Sequence, residues 1–209
     1  CLAIIYLRGI GVEKNILKAI KYLELAAEQN DSDSLTVLGE LYLFGLDVKQ
    51  DIKKSIKYLE SSAKLNNPEA SYELGVLYLQ GLDVNQDYIK AREYFEISSK
   101  FNNPNALLNL GFLYLNGLGV EKNYEKARKY YELSAKLKQP QAFVVLGNFY
   151  EKGLEVKQDI ARAIYYYKLA AQSNNSYGSY SLGILYLNGI GVKKNMNKAI
   201  DYFEISAKQ

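Results

Sequence analysis

Apolar and polar residues follow one another along the chain with the spacing of amphipathic helices, in a pattern that returns every 36 residues. In the segment 67–87, NPEASYELGVLYLQGLDVNQD, apolar residues recur three and four positions apart until Gly81. Proline in the first turn and glycine just past the last turn are typical of helix boundaries. We call this predicted helix, which ends at the glycine, the A helix of a repeat.

A second predicted helix, the B helix, follows each A helix after a short loop. The loop ends in aspartate or asparagine, which is Asp87 in the segment above, and these side chains are good N-caps. About 13 residues with helical spacing then lead to a polar turn such as NNP at 66–68. Each repeat is therefore predicted to be a pair of antiparallel helices.

The repeats keep their register without insertion or deletion. Counted from Asp33, they cover 1–32 (partial), 33–68, 69–104, 105–140, 141–176 and 177–209 (nearly complete). A single helix pair cannot bury its own apolar face, whereas stacking one pair on the next does so. We therefore predict an all-α fold, a right-handed α-solenoid of antiparallel helix pairs, with 1–209 as a single solenoid domain. Because both ends interrupt a repeat, we expect the chain to be a fragment of a longer array.

Glycine stands in the middle of the A helix in five repeats, at Gly39, Gly75, Gly111, Gly147 and Gly183. Since glycine costs about 1 kcal/mol relative to alanine in a helix interior, its recurrence needs a structural reason. One position of the B helix is small in all six repeats: Ala19, Ser55, Ala91, Ala127, Ala163 and Ala199. We expect the glycines to face these small residues, so that the two helices approach closely.

Tyrosine occupies two positions in every repeat, one in each helix. The A-helix position holds Tyr6, Tyr42, Tyr78, Tyr114, Tyr150 and Tyr186, and the B-helix position holds Tyr22, Tyr58, Tyr94, Tyr130, Tyr166 and Tyr202. We expect these rings to be buried, with their hydroxyl groups reaching the edge of the core.

Composition narrows the chemistry. The chain has no histidine, which is the commonest general base and metal ligand, and its one cysteine, Cys1, allows no intrachain disulfide. The net charge of +3 comes from interspersed residues, so nucleic acid is not an expected partner. No apolar run approaches the roughly 18 to 20 residues of a transmembrane helix. We predict no catalytic, metal or cofactor site, and the compartment stays open between cytoplasm, periplasm and secretory pathway.

The recurring residues form the pattern A-x-x-x-x-L-G-x-x-Y-x-x-G-x-G-V-x-x-[DN]-x-x-K-A-x-x-Y-x-x-x-A-A, which residues 106–135, ALLNLGFLYLNGLGVEKNYEKARKYYELSA, follow almost in full. This pattern resembles the Sel1-like repeat, a relative of the tetratricopeptide repeat, over the whole chain. The resemblance implies a protein–protein interaction scaffold or adaptor. A cysteine-rich branch of that family, described as binding penicillin-like compounds, carries a disulfide in each repeat, which this chain cannot form.

One loop position departs from the family pattern, which has glycine there. Gly11, Gly119 and Gly191 comply, whereas the other three repeats carry an acidic residue: Asp47, Asp83 and Glu155. Aspartate tolerates a left-handed backbone better than glutamate does. The loop geometry of these three repeats is therefore open at this stage.

Four A-helix positions with the spacing i, i+4, i+7 and i+11, and one that flanks them, share a helix face beside the buried stripe. Their residues vary from repeat to repeat, and in solenoids of helix pairs the A helices line the concave surface. Asparagines there can donate to and accept from the backbone of an extended peptide, and apolar neighbours can hold its side chains. The predicted partner-binding residues are Phe44, Tyr72, Glu73, Val76, Asn109, Phe112, Asn116, Val145, Asn148, Lys152, Ile184 and Asn188.

Other functions stay open. Ser61 and Lys64 match the S-x-x-K motif of serine β-lactamases, although S-D-N and K-T-G are absent. Single-stranded RNA is a second alternative, because other helix-pair repeats of similar length read RNA with basic surfaces. End-to-end self-association is a third, since solenoid ends without capping helices expose core residues.

Overall fold

The computed structural model describes residues 2–154 and 156–209, and every regular element in them is an α-helix. The helices are α1 (Leu2–Arg8), α2 (Ile16–Ala27), α3 (Ser32–Phe44), α4 (Ile52–Lys64), α5 (Pro68–Gln80), α6 (Tyr88–Ser99), α7 (Pro104–Asn116), α8 (Tyr124–Lys136), α9 (Pro140–Lys152), α10 (Ile160–Gln172), α11 (Ser176–Asn188) and α12 (Met196–Lys208). Odd-numbered helices are the A helices and even-numbered helices are the B helices. The predicted all-α class of paired helices is confirmed.

The chain forms two compact units, unit 1 (Cys1–Ala106) and unit 2 (Leu107–Gln209). In unit 1 the A and B helices of each repeat pack together, and α2 and α4 also pack on the next A helices, α3 and α5. In unit 2, α8 and α10 pack on α9 and α11 in the same way. Each of these B helices therefore covers two A helices, which buries apolar faces that one pair leaves open.

The loop between the helices of a repeat is closed by the residues that the sequence repeats. Gly81 ends α5 in the left-handed region, at φ 71°, and the Asp87 carboxylate accepts from the backbone N–H groups of Ile89 and Lys90. The Asp87 N–H itself donates to the Tyr78 carbonyl at 2.9 Å, a bond that recurs in all six repeats. The predicted glycine C-cap and Asx N-cap are therefore confirmed.

The expectation that the mid-helix glycines face small residues of the B helix is wrong. A Cβ atom at Gly75 would lie 2.5 Å from the Phe95 ring, and one at Gly111 would lie 2.8 Å from the Tyr131 ring. The same neighbour is Leu59, Tyr167 or Phe203 in the other three repeats. The small B-helix residues are fully buried as well. Each glycine thus leaves room for a large side chain four residues beyond the small one.

The two repeated tyrosines of each helix pair stack on one another. Their ring centroids lie 5.6–6.0 Å apart with nearly parallel planes in all six repeats. A cation from the first turn of the B helix lies 4.1–5.2 Å from the centroid of the A-helix ring: Lys18, Lys54, Lys90, Lys126, Arg162 or Lys198. Most of these rings are half-buried rather than buried, so the cation that lies over the A-helix ring stays near the surface.

The acidic replacements in the loop keep the backbone of the glycines. Asp47 and Asp83 adopt φ of 59° and 52°, and Gly11, Gly119 and Gly191 have φ between 65° and 71°. Aspartate therefore accepts the left-handed conformation at both positions. The third replacement, Glu155, and the lone cysteine, Cys1, lie outside the described residues.

The turn before each of α3, α5, α7, α9 and α11 contains one residue with a left-handed backbone, and before α9 this residue is a lysine. Asn30, Asn66, Asn102 and Asn174 occupy it in four repeats, whereas Lys138 occupies it in the fifth, at φ 61°. We expect Lys138→Asn to raise the free energy of unfolding by about 0.5 kcal/mol, because the left-handed conformation costs more free energy for lysine than for asparagine. Urea denaturation measures the gain; Lys138→Ala, which keeps the Cβ atom, should show none.

Candidate interaction surface

The predicted partner-binding residues lie on the A helices, and we call the surface they form in each unit its A-helix face. In unit 1 it comprises Phe44 of α3 and Tyr72, Glu73 and Val76 of α5. In unit 2 it comprises Asn109, Phe112 and Asn116 of α7, Val145, Asn148 and Lys152 of α9, and Ile184 and Asn188 of α11. The structure thus brings the first four together in one unit and the other eight in the other.

The A-helix face of unit 1 contains a cavity of about 370 Å³. Phe44, with 57% of its surface exposed, and Val76 line it, together with Gln80 and Glu73. Leu82, which is 52% exposed in the loop after α5, completes the apolar lining. Tyr72 is half-buried instead and its ring packs on Phe95 at 6.0 Å between centroids, so it belongs partly to the core.

Two half-buried glutamates stand on the same face. Burial raises the pKa of Glu40 above its ordinary value, and the Glu69 carboxylate raises it further. Burial also raises the pKa of Glu73, with an added contribution from the Glu40 carboxylate. Within the described part of the chain, neither the Glu40 nor the Glu73 carboxylate makes a hydrogen bond or an ion pair. In the described part of unit 1, the carboxylates of this face therefore make no ion pair with a basic side chain.

The A-helix face of unit 2 is neutral apart from Lys152. Two of its asparagines already use part of their hydrogen-bonding capacity within the unit. The single proton of the Tyr167 hydroxyl is shared between two acceptors, the Asn148 Oδ1 atom at 2.8 Å and the Glu151 carboxylate. The Asn116 amide donates to the Phe112 carbonyl at 2.9 Å. Asn148 therefore keeps its amide N–H₂ group for a partner, and Asn116 keeps its carbonyl oxygen.

Apolar contact area on this face comes from a few side chains. Phe112 is 42% exposed, whereas Val145 and Ile184 are half-buried, and Val145 packs against the core cluster of Tyr131 and Leu146. Asn109 is half-buried, and Lys152 and Asn188 are exposed. On α11, Tyr177 exposes 71% of its surface, a residue that the prediction omitted.

Sequence reasoning also missed the loop contribution. Leu82 belongs to a position directly after the glycine C-cap that is leucine or isoleucine in every repeat: Ile10, Leu46, Leu82, Leu118, Leu154 and Ile190. An apolar residue retained in an exposed loop was the signal that could have found it.

The Ser61–Lys64 motif lies apart from the A-helix faces. Both residues are on α4 and exposed, and the Ser61 hydroxyl donates to the Lys57 carbonyl at 2.9 Å. This bond is one that helix backbones commonly offer to serine. Nothing in the geometry activates Ser61 as a nucleophile. Over residues 2–154 and 156–209, no group of metal-ligating side chains comes together, and no helix has the length and apolarity to cross a bilayer.

Successive antiparallel helix pairs, each closed by a left-handed glycine and an Asx cap, define the class of α-solenoid repeat proteins. The Sel1 repeat model matches this chain six times, at residues 2–31, 32–67, 68–100, 104–138, 144–175 and 176–209. The chain belongs to the Sel1 repeat family. Its members are generally scaffolds that bind other proteins, and the fold is typically non-catalytic.

Solved structures agree. A protective antigen present in uropathogenic Escherichia coli strains, with an SLR fold, matches with a TM-score of 0.92 and 29% identity over 100% of this chain. This chain spans 45% of that protein. A Sel1 repeat protein from Oxalobacter formigenes matches with a TM-score of 0.87 and 31% identity, covering 99% of this chain and 85% of that one.

A third structure is the cysteine-rich protein B of Helicobacter pylori, which matches with a TM-score of 0.51 and 29% identity over 64% of this chain and 96% of that one. Among curated proteins, no sequence matches this chain.

Proposed function

We propose that this chain is a scaffold that binds an extended segment of another protein through its A-helix faces. The observation that carries this proposal is a contrast between two neighbouring positions of the A helix. One holds tyrosine in all six repeats, whereas the position two residues before it holds Ile4, Glu40, Val76, Phe112, Asn148 and Ile184. A constant framework that presents varied side chains is typical of a recognition surface.

The chemistry of both faces fits a polypeptide better than the alternatives. Phe44 and Phe112 expose aromatic area, which dominates binding energy at protein interfaces. The unpaired carboxylates of Glu40 and Glu73 would repel the phosphates of RNA. No observation favours the enzyme alternative, because the Ser61 hydroxyl is bound by its own helix. We expect Kd values in the micromolar range, which correspond to a binding free energy of about −8 kcal/mol.

Site-specific photocrosslinking in the native host tests the proposal. A benzophenone amino acid at Phe44 or Phe112 should capture a partner protein, because both side chains are exposed on the A-helix faces. The same group at Leu17 of α2 or Leu133 of α8 serves as a control, since both are exposed on B helices. Equal capture from A and B helices would contradict the proposal.

Mutations of the captured complex give the size of the effect. Phe112→Ala should weaken binding about tenfold or more, the usual cost of truncating an aromatic anchor. Replacing Asn109, Asn116 and Asn148 together by alanine should weaken it further, because each retains a polar group for a partner. Unchanged affinity in both variants, measured by calorimetry, would rule out the A-helix face of unit 2.

A further inference from the structure

The cavity of unit 1 combines two features that together define what can occupy it. Its floor and one wall are apolar, formed by Leu43, Ile52 and Leu77 with the exposed Phe44 and Leu82. Its volume of about 370 Å³ falls within the range of small binding pockets, about 300–1,000 Å³. A pocket of this kind suits one large apolar side chain of a partner.

The rim of the same cavity is acidic. Glu73 lines it, and Glu40 acts electrostatically on Glu73 from the neighbouring helix α3. The charge that acts on Glu40 is a third carboxylate, Glu69, and Asp83 lines the cavity from the loop. The ion pairs of unit 1 join Lys14 to Asp47 and Arg92 to Glu96, so no pair in the described part of this unit uses the rim carboxylates.

We propose that the unit 1 cavity binds a partner segment that places a lysine or arginine side chain at Glu40 and Glu73 and a large apolar side chain in the adjoining pocket. This inference rests on the proposed function, since it names the kind of segment that the A-helix face selects. A cation there gains two partly desolvated carboxylates as hydrogen-bond acceptors and removes their mutual repulsion. An acidic or neutral side chain at the same place gains neither.

Charge also decides against other occupants. Two copies of this chain that met through this same face would bring carboxylates against carboxylates, because it presents Phe44 beside Glu73 and Asp83. A nucleic acid would bring phosphates to an acidic rim. A basic and apolar polypeptide segment is complementary to both features.

Selection from random short peptides displayed on phage tests the inference without knowledge of the natural partner. The full chain is the target, and peptides are retained that bind the wild type and fail to bind Phe44→Ala, so that they report on this cavity. We expect lysine or arginine at one position of these peptides, next to a large apolar residue. In a synthetic member, replacing that basic residue by glutamine should weaken binding to the wild type about tenfold.

A double variant assigns the preference to the two carboxylates. With Glu40→Gln/Glu73→Gln, the same peptide replacement should change binding less than twofold, because the charges it interacts with are gone. Glu13→Gln/Glu93→Gln, which removes two exposed carboxylates elsewhere, should keep the tenfold preference. Circular dichroism and thermal unfolding establish that all variants are folded, which glutamine, close in shape to glutamate, should permit.

Two results would overturn the inference in different ways. Peptides that require Phe44 but show no basic preference, or keep it in Glu40→Gln/Glu73→Gln, would contradict the inference and leave protein binding in place. A selection that yields no Phe44-dependent peptide would contradict binding at the unit 1 cavity altogether. Crosslinking from Phe112 then decides separately whether the chain binds protein through unit 2.

Discussion

Gly75→Ala is expected to lower the free energy of unfolding by about 2 kcal/mol, even though alanine is the better helix former. The added Cβ atom would lie 2.5 and 2.6 Å from two atoms of the Phe95 ring, and this ring is fully buried. Overpacking of a rigid core costs up to about 3 kcal/mol, and the gain in helix propensity offsets about 1 kcal/mol of it. Urea denaturation measures the net loss, and hydrogen exchange should place it in α5 and α6.

A second substitution in the same contact provides the control. Phe95→Ala removes the ring, so adding Gly75→Ala in that background should be neutral or stabilising, with a coupling energy of about 2 kcal/mol. In the first repeat the A-helix position already holds alanine, since Ala3 is buried in one core cluster with Leu23, which has no aromatic ring. If Gly75→Ala alone raises stability by the full propensity difference, the ring contact does not explain the glycine.

Tyr167→Ala is expected to lower the free energy of unfolding by about 4 kcal/mol, the usual cost of removing a large buried ring. Tyr167 is fully buried in the core cluster of Leu182 and Leu185, and its ring fills the space beside Gly147. The single proton of its hydroxyl is shared between Asn148 and Glu151, and burial followed by the Glu151 carboxylate raises the pKa of Tyr167. The hydroxyl therefore stays protonated, as a donor, at neutral pH.

Tyr167→Phe separates the hydroxyl from the ring and is expected to cost about 2 kcal/mol, because Glu151 loses a hydrogen bond to its charge. Tyr131→Phe is the matched control at the equivalent position of another repeat, where burial alone raises the pKa of the tyrosine. Phenylalanine occupies this position naturally at Phe95 and Phe203. Equal losses in the two variants, measured by thermal unfolding, would show that the bond to Glu151 contributes nothing.

The helix boundaries were predictable because local chemistry determines them. Gly81 takes a left-handed conformation and Asp87 caps the next helix wherever these residues stand in a helical pattern. The partner of Gly75 was not predictable in the same way. Spacing placed both Ala91 and Phe95 on the buried face of α6, and only the rotation of α6 about its axis decides which one meets the glycine.

For the candidate site as well, the sequence predicts which residues lie on the A helices, whereas contacts between helices depend on packing. Periodicity placed Phe44, Phe112 and Asn148 on the A helices, as the structure has them. It could not show that Tyr167 holds the Asn148 carbonyl oxygen, because that bond joins two helices through a hydroxyl whose position depends on packing. The acidic rim formed by Glu40 and Glu73 also depends on how α3 and α5 lie side by side.

In every helix pair, the cation and the two stacked tyrosines join the A helix to the B helix. This contact, like the Asx cap beside it, uses residues of one repeat only, such as Lys90, Tyr78 and Tyr94. Duplication or deletion of 36 codons in register therefore adds or removes a complete helix pair with its own tyrosine contact and cap, and the contacts within the other pairs stay intact. Such a protein is lengthened by duplicating a repeat, and the added helix pair needs no new residues to hold its two helices together.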